Sequence, residues 1–149
     1  MYAMTQTAAS ESAQDQPETS TTSSMQIWTG RVLSGIVSAF FLLDGGMKLA
    51  KPAFVVQATL QLGYPESTIL GVGIVLLAST ILYLLPRTAI FGAILLTGYL
   101  GGAVATHVRV SASWFNILFP VLFGGIVWAG LYLRDSQLRT ALSSQRSRK

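Results

Sequence analysis

Two pairs of polar residues in this sequence have the types and the spacing to do chemistry. Asp44 and Lys48 are four residues apart with the acid first, the better orientation for an ion pair on a helix. His107, the only histidine, lies just before Arg109 at the end of a long uncharged stretch. These groups can bind a polar ligand or carry protons, and ionisable groups near hydrocarbon are functional candidates by default. They also fit two structural roles, a helical ion pair and an arginine that anchors a helix at the interface.

Most familiar catalytic and metal-binding patterns are absent from the sequence. The chain has no cysteine, which excludes a disulfide framework, a thiol–disulfide site and thiolate metal ligands. It contains no HExxH, no GxSxG and no glycine-rich phosphate loop. A single histidine cannot supply both axial ligands of a haem within one subunit. We therefore assign no catalytic residue and no metal site, and nothing supports a self-contained enzyme.

The composition is typical of a membrane protein. Hydrophobic residues make up 51% of the 149 residues and charged residues only 11%, whereas a soluble domain carries about 25% charged residues. Such a chain cannot cover its surface with charge, so lipid is its expected solvent. The net charge of +4 comes from basic residues beside hydrophobic segments, which favours a membrane flank over a nucleic-acid surface.

Four hydrophobic segments are candidates to cross a bilayer core of about 30 Å, which needs about 20 apolar residues. The first is the weakest, because its uncharged stretch covers only 32–43. That stretch would suit a signal peptide if translation began at Met25, but no small-x-small cleavage site follows it, and Arg31 can reach back to the interface. We therefore predict an all-α membrane protein, a four-transmembrane-helix bundle with helices at about 27–50, 67–85, 88–108 and 112–133.

The segments outside these spans differ from them in composition. Residues 1–24 are rich in Ser, Thr, Gln and Ala and are predicted to form a disordered tail. Residues 25–134 then form the transmembrane domain, and 135–149 form a basic tail. Between the first two spans Pro52 can begin a helix and Gly63 can end it, so we predict a short interfacial helix, with an irregular loop as the alternative.

The distribution of Lys and Arg predicts the orientation in the membrane. Four spans put both termini on one side, which carries seven of the ten basic residues, while Lys48, Lys51 and Arg109 lie on the other. An excess of Lys and Arg marks the cytoplasmic face. We therefore expect a multi-pass protein of the bacterial cytoplasmic (inner) membrane with cytoplasmic N- and C-termini.

The two polar pairs should lie at the same end of the bundle. His107 is 20 residues after Arg87, and a rise of 1.5 Å per residue carries it about 30 Å, to the opposite interface. Asp44 and Lys48 reach a similar depth on the first helix. We take Asp44, Lys48, His107 and Arg109 as a candidate ligand-binding set, with a purely structural cluster as the alternative. The polar residues expected at this end are Asp44, Lys48, Glu66, His107, Arg109 and Asn116.

Glycines at small-xxx-small spacing suggest where the helices pack. Gly98 and Gly102 form such a pair on the third span, and Gly125 and Ala129 form another on the fourth. In lipid, helices associate where small residues let their backbones approach. We therefore predict helix packing at Gly98, Gly102 and Gly125. For the "GYLGG" segment, a flat wall for a planar ligand is the alternative.

Several longer segments resemble a known family. The segments "FLLDGGMKL", "LGYPES" and "YLLPRTAIFGAILLTGYLGGAVATHVRV", with a terminal hydrophobic helix that contains "FP", are similar to the DoxX-like family of small bacterial four-helix membrane proteins. The resemblance runs from about Trp28 to Arg134. It implies a link to membrane oxidoreductase complexes and oxidative-stress responses, since the family takes its name from a membrane subunit associated with thiosulfate:quinone oxidoreductase. The two polar pairs match the family's polar motif, but the resemblance implies no catalytic residue.

Three functions are consistent with these features. The first is a non-catalytic membrane component of a redox or stress-related system that contacts quinone, with a membrane oxidoreductase or a second copy of the chain as partner. The second is a small-solute or proton-coupled transporter. The third is a structural or assembly protein of the membrane. The sequence requires no cofactor, quinone is the candidate ligand, and no nucleic-acid partner is expected.

Overall fold

The computed structural model of the chain describes residues 18–135 and 138, with side chains described from residue 24 onward. This part of the chain contains helices and no strand, so the predicted all-α class is confirmed. A short helix lies between the first two long ones, as predicted. The helices are α1 (Glu18–Ala50), α2 (Ala53–Gln61), α3 (Ser67–Leu84), α4 (Ala89–Arg109) and α5 (Trp114–Arg134).

Four of these helices, α1, α3, α4 and α5, are long and apolar enough to cross a membrane. Large hydrophobic side chains also remain exposed along all four, such as Ile36, Ile74, Phe91 and Leu122. Exposed apolar faces of this extent would be unfavourable in water but are expected where lipid surrounds the helices. The chain is therefore a multi-pass integral membrane protein.

The first helix begins earlier than the sequence predicted. It starts at Glu18 rather than near Ile27, so it extends into residues that were assigned to the tail. The prediction of a disordered tail relied on its lack of apolar surface. That lack makes tertiary packing of these residues unfavourable, but it does not prevent them from forming a helix. Once a transmembrane helix is nucleated, each added residue gains a backbone hydrogen bond without a new nucleation cost. The rest of the predicted N-terminal tail and nearly all of the C-terminal tail lie outside the described residues.

The four long helices form a ring. Helix α1 packs against α3 and α5, and α4 packs against the same two neighbours, so α1 and α4 are diagonal to each other. A core of buried side chains from all four helices fills the bundle between the tight α3–α4 connection and its middle. They include Val37, Phe41, Leu76, Tyr83, Leu96, Leu100, Val127 and Leu131.

The helices approach each other closely, but not at the predicted glycines. A Cβ atom added at Gly98, Gly102 or Gly125 would meet nothing within 4 Å, so the predicted packing role of these three residues is wrong within the bundle. The tightest approach is at Gly92, where an added Cβ would lie 2.2 Å from the backbone nitrogen of Tyr83. Small-xxx-small spacing does not reveal which helix face meets a neighbour, and here the contacts lie on other faces. The other close approaches are at Gly30, Gly45, Gly73 and Gly130.

A polar network is buried in the core. The Tyr83 hydroxyl donates a hydrogen bond to the Val127 carbonyl and also bonds the Ser34 hydroxyl, both at 2.9 Å. Because the single hydroxyl proton of Tyr83 goes to Val127, Ser34 is the donor in the second bond. The Arg134 guanidinium lies over the Tyr83 ring, 4.5 Å from its centroid, and donates to the Tyr83 carbonyl. This network joins α1, α3 and α5 at the end of the bundle nearest Arg87.

Candidate functional site

A cavity opens at the other end of the bundle, which we call the His107 end. There α1 and α4 end, α3 and α5 begin, and α2 lies beside them. The cavity has a volume of about 710 Å³ and is lined by residues from all five helices and from the loop between α2 and α3. It brings Asp44 and Lys48 on α1 to the same space as His107 on the diagonal helix α4. Three of the four candidate ligand-binding residues therefore line one cavity.

The ion pair expected from the spacing of Asp44 and Lys48 is present. The Lys48 ammonium donates to the Asp44 carboxylate at 2.5 Å, and the exposed fractions of the two side chains are 19% and 30%. Both partners lie on α1, so the pair does not join two helices. Each charge neutralises the other at the edge of the cavity, where an unpaired charge would be poorly solvated.

Arg109 contacts two residues of the cavity lining from outside the cavity. Its guanidinium donates to the Leu62 carbonyl at 2.6 Å and lies over the Tyr64 ring, 5.2 Å from the centroid. The Tyr64 hydroxyl in turn bonds the Thr106 hydroxyl at 2.9 Å. Arg109 therefore fixes the loop between α2 and α3 to the end of α4. It does not line the cavity that holds the other three candidates.

Glu66 and Asn116, the other two polar residues expected at this end, also lie apart from the cavity lining. The Glu66 carboxylate lies 3.8 Å from the Lys51 ammonium, and this ion pair joins the residues just before α2 to those just before α3. Asn116 is exposed in the first turn of α5. Neither side chain lines the cavity. The polar cluster that the sequence predicts is thus divided into cavity residues and connection residues.

Two polar groups in the cavity lack a partner within the described chain. The Nδ1 atom of His107 is buried and has no hydrogen bond there. The Tyr99 hydroxyl also makes no hydrogen bond to the described residues, although Tyr99 lies within the electrostatic reach of the Asp44 carboxylate. Buried polar groups in proteins are nearly always hydrogen-bonded, so the orphaned nitrogen makes His107 an unsatisfied polar side chain of the cavity lining.

Aromatic rings form one wall of the cavity. Phe40 and Phe41 on α1 meet Phe123 on α5, with ring centroids 4.6 and 5.7 Å apart. Phe119 lies 4.6 Å from Phe123 and 5.8 Å from Phe40. The rings are tilted or edge-on to one another, which is a favourable arrangement for aromatic pairs. The wall is apolar and rigid, because ring packs on ring.

The sequence interpretation missed most of the cavity residues. Tyr99, Ala103 and Thr106 are spaced at i, i+4 and i+7, and this spacing places them on one face of α4. Tyr99 belongs to the "GYLGG" segment, which was assigned to helix packing, with a planar wall as the alternative. Gly98 and Gly102 in fact line the cavity. The shared face with His107 was the signal that could have identified Tyr99.

Comparison with known proteins agrees with this architecture. The family model of the DoxX-like family matches residues 32–130, which cover more than half of the chain and every residue of the cavity lining. The chain belongs to the DoxX-like family. No match to this DoxX-like chain was found among curated proteins or among solved structures.

The cavity of this DoxX-like protein suits an amphipathic ligand more than a metal or a small ion. No group of three or more histidine and acidic side chains that could hold a metal occurs among the described residues. The charged pair at the rim is already neutralised. An aromatic wall, an orphaned imidazole nitrogen and an unpaired phenol can together hold a flat ring that carries polar oxygens.

Proposed function

We propose that this DoxX-like protein is a non-catalytic membrane component of a redox or stress-related system and that its cavity binds the ring of a quinone. One observation carries the proposal. The phenylalanine wall, Tyr99 and His107 line the same 710 Å³ cavity, and within the described chain the Tyr99 hydroxyl and the buried His107 Nδ1 atom have no hydrogen-bond partner. Pockets for small ligands have volumes of about 300–1,000 Å³ and combine apolar walls with a few convergent polar groups.

The polar groups fit both redox forms of a quinone. A quinone carbonyl only accepts hydrogen bonds, and the Tyr99 hydroxyl can donate one. A neutral imidazole has one nitrogen that donates and one that accepts, and the proton can sit on either. A His107 ring nitrogen that is turned toward the cavity can therefore donate to a quinone carbonyl or accept from a quinol hydroxyl. The Phe40, Phe119 and Phe123 rings would contact the faces or edges of the quinone ring.

The Lys and Arg distribution supports the location and the orientation. Seven of ten basic residues lie on the side of the termini, which favours cytoplasmic termini in a bacterial inner membrane. The His107 end and its cavity would then face away from the cytoplasm. A membrane oxidoreductase, or a second copy of the chain, would exchange the bound quinone at that surface.

The experiment is to isolate the full chain in polymer-bounded discs of its own membrane and to quantify the quinone in each disc by mass spectrometry. We expect more quinone per lipid than in discs of an unrelated four-helix membrane protein. Tyr99→Phe removes one neutral hydrogen bond, which is worth about 0.5–1.5 kcal/mol, so binding should fall about 2- to 10-fold.

Tyr83→Phe is the matched control, because it removes the same hydroxyl group from a tyrosine that lies outside the cavity lining. It should leave the quinone content unchanged. Quinone no higher than in the unrelated protein would contradict the proposal and favour an assembly role or a transporter. An equal loss of quinone in Tyr99→Phe and Tyr83→Phe would also contradict it.

A further inference from the structure

Three of the four sides of the cavity are closed by helix contacts. Between α1 and α5 the phenylalanine rings meet, with the centroids of Phe40 and Phe123 4.6 Å apart. Between α1 and α3 the helices touch at Gly73, where an added Cβ would lie 2.9 Å from the Lys48 Cβ atom. Between α4 and α5 the helices touch beside the cavity at Gly124, where an added Cβ would lie 3.7 Å from the Leu100 Cδ1 atom. A ring that entered between these pairs of helices would have to separate these contacts.

The fourth side, between α3 and α4, is closed at one end only. Near the Pro86–Arg87 connection the helices are in backbone contact at Gly92. Toward the His107 end, Gly71 on α3 and Gly98 and Gly102 on α4 line the cavity, are exposed, and would meet nothing with an added Cβ. Val75 also lines the cavity on this side and is 53% exposed, whereas Ile69 is 2% exposed. Helices α3 and α4 thus touch near their connection and leave a lateral gap between them toward the His107 end.

The top of this opening is fixed by the loop between α2 and α3. Arg109 holds the Leu62 carbonyl at 2.6 Å, and Tyr64 bonds Thr106 at 2.9 Å. These two contacts join the start of α3 to the end of α4 at the surface. The gap between the helices therefore lies below the loop, at the depth of apolar residues, and faces the bilayer rather than water.

We propose that the ligand reaches the cavity sideways from the bilayer, between the first half of α3 and the second half of α4, and that it is a single-tailed quinone-type amphiphile. Its ring lies against the phenylalanine wall with its oxygens toward Tyr99 and His107. Its apolar tail passes across Gly71, Gly98 and Gly102 into the lipid. The inference rests on the proposed quinone site and adds the route and the place of the tail.

The chain provides matched variants for the test. Gly98→Leu and Gly102→Leu place a side chain in the opening, whereas Gly101→Leu lies on the same helix, also meets open space, and does not line the cavity. The binding of a long-tailed ubiquinone to the full chain in lipid nanodiscs is measured by equilibrium titration. Filling the opening should weaken binding at least about tenfold, because the tail loses its space. Gly101→Leu should bind as the wild type does.

Equal binding by all three variants, with the wild type also binding, would overturn the lateral route while leaving the quinone site intact. A wild type that binds no ubiquinone would instead contradict the proposed function. In that case the lateral opening is tested by fluorescence quenching in the absence of a ligand. The chain has no cysteine, so a single Gly98→Cys variant can carry one fluorophore, with Gly125→Cys as a lipid-exposed reference. Quenching by nitroxide-labelled lipid supports a lateral opening, and quenching by aqueous iodide overturns it.

Discussion

Two buried or half-buried tyrosines should respond in opposite ways to loss of their hydroxyl groups. Tyr83 is fully buried, and its hydroxyl bonds Val127 and Ser34, both at 2.9 Å. Tyr99 lines the cavity, and its hydroxyl bonds nothing in the described chain. Tyr83→Phe should therefore lower stability without weakening quinone binding. Tyr99→Phe should weaken quinone binding and leave stability nearly unchanged.

The magnitude follows from the contacts. A hydrogen bond between membrane helices is worth about 0.6 kcal/mol on average, so two bonds give about 1 kcal/mol. Ser34 is 1% exposed and would lose its partner, which adds up to about 1 kcal/mol, because its hydroxyl can turn back to its own helix. A total of about 1–2 kcal/mol corresponds to a fall of about 2–8 °C in melting temperature for a chain of this size. Tyr99→Phe should change the melting temperature by less than about 2 °C.

The assay is thermal unfolding of the full chain in a mild detergent, followed by intrinsic fluorescence, with quinone content measured on the same preparations. Wild-type melting for Tyr83→Phe would refute the buried network. A fall for Tyr99→Phe as large as that for Tyr83→Phe would refute the free hydroxyl, since the group would then have a partner within the protein.

Three further predictions follow from other contacts. Gly92→Ala should lower the melting temperature, because the added Cβ would lie 2.2 Å from a backbone atom of Tyr83. The expected loss of stability is about 1–3 kcal/mol or more. Gly35→Ala is the control, since its added Cβ meets open space and should not destabilise the protein. Asp44→Asn and Arg109→Gln should have additive effects on stability, since the two side chains bind different partners. A coupling energy between the two substitutions above about 0.5 kcal/mol would show that the side chains interact and would contradict this prediction. A reporter that is active only in the cytoplasm should work when fused after Lys149, and activity of a periplasm-only reporter there would reverse the orientation.

The sequence was sufficient to predict the helices, because each span is a long apolar run between polar or proline residues. Pro86–Arg87 required α3 and α4 to be antiparallel neighbours. Pro52 begins α2, and Gly63 ends it with a φ of +77°, as their residue types predicted. These are local signals, so one segment at a time was enough to identify them.

The candidate site depended on contacts between distant segments, and local signals identified only part of it. Helix rise placed His107 and Asp44 at one depth, and the cavity contains both. Depth does not give the rotation of a helix, however, so it could not separate His107, which faces the cavity, from Arg109, which turns to the loop. For the same reason the glycine spacing predicted contacts at Gly98 and Gly102, where the structure has an opening.

The central claim is that a quinone ring occupies the cavity at the His107 end. The most direct measurement is photolabelling of the full chain, in its native membrane, with an azido-quinone, followed by mass spectrometric mapping of the labelled residues. The account predicts labels within 40–44 of α1, 98–107 of α4 and 119–123 of α5, and competition by unlabelled ubiquinone should remove them. Labels spread over the lipid-exposed faces at Phe91 and Leu118, unaffected by ubiquinone, would contradict it.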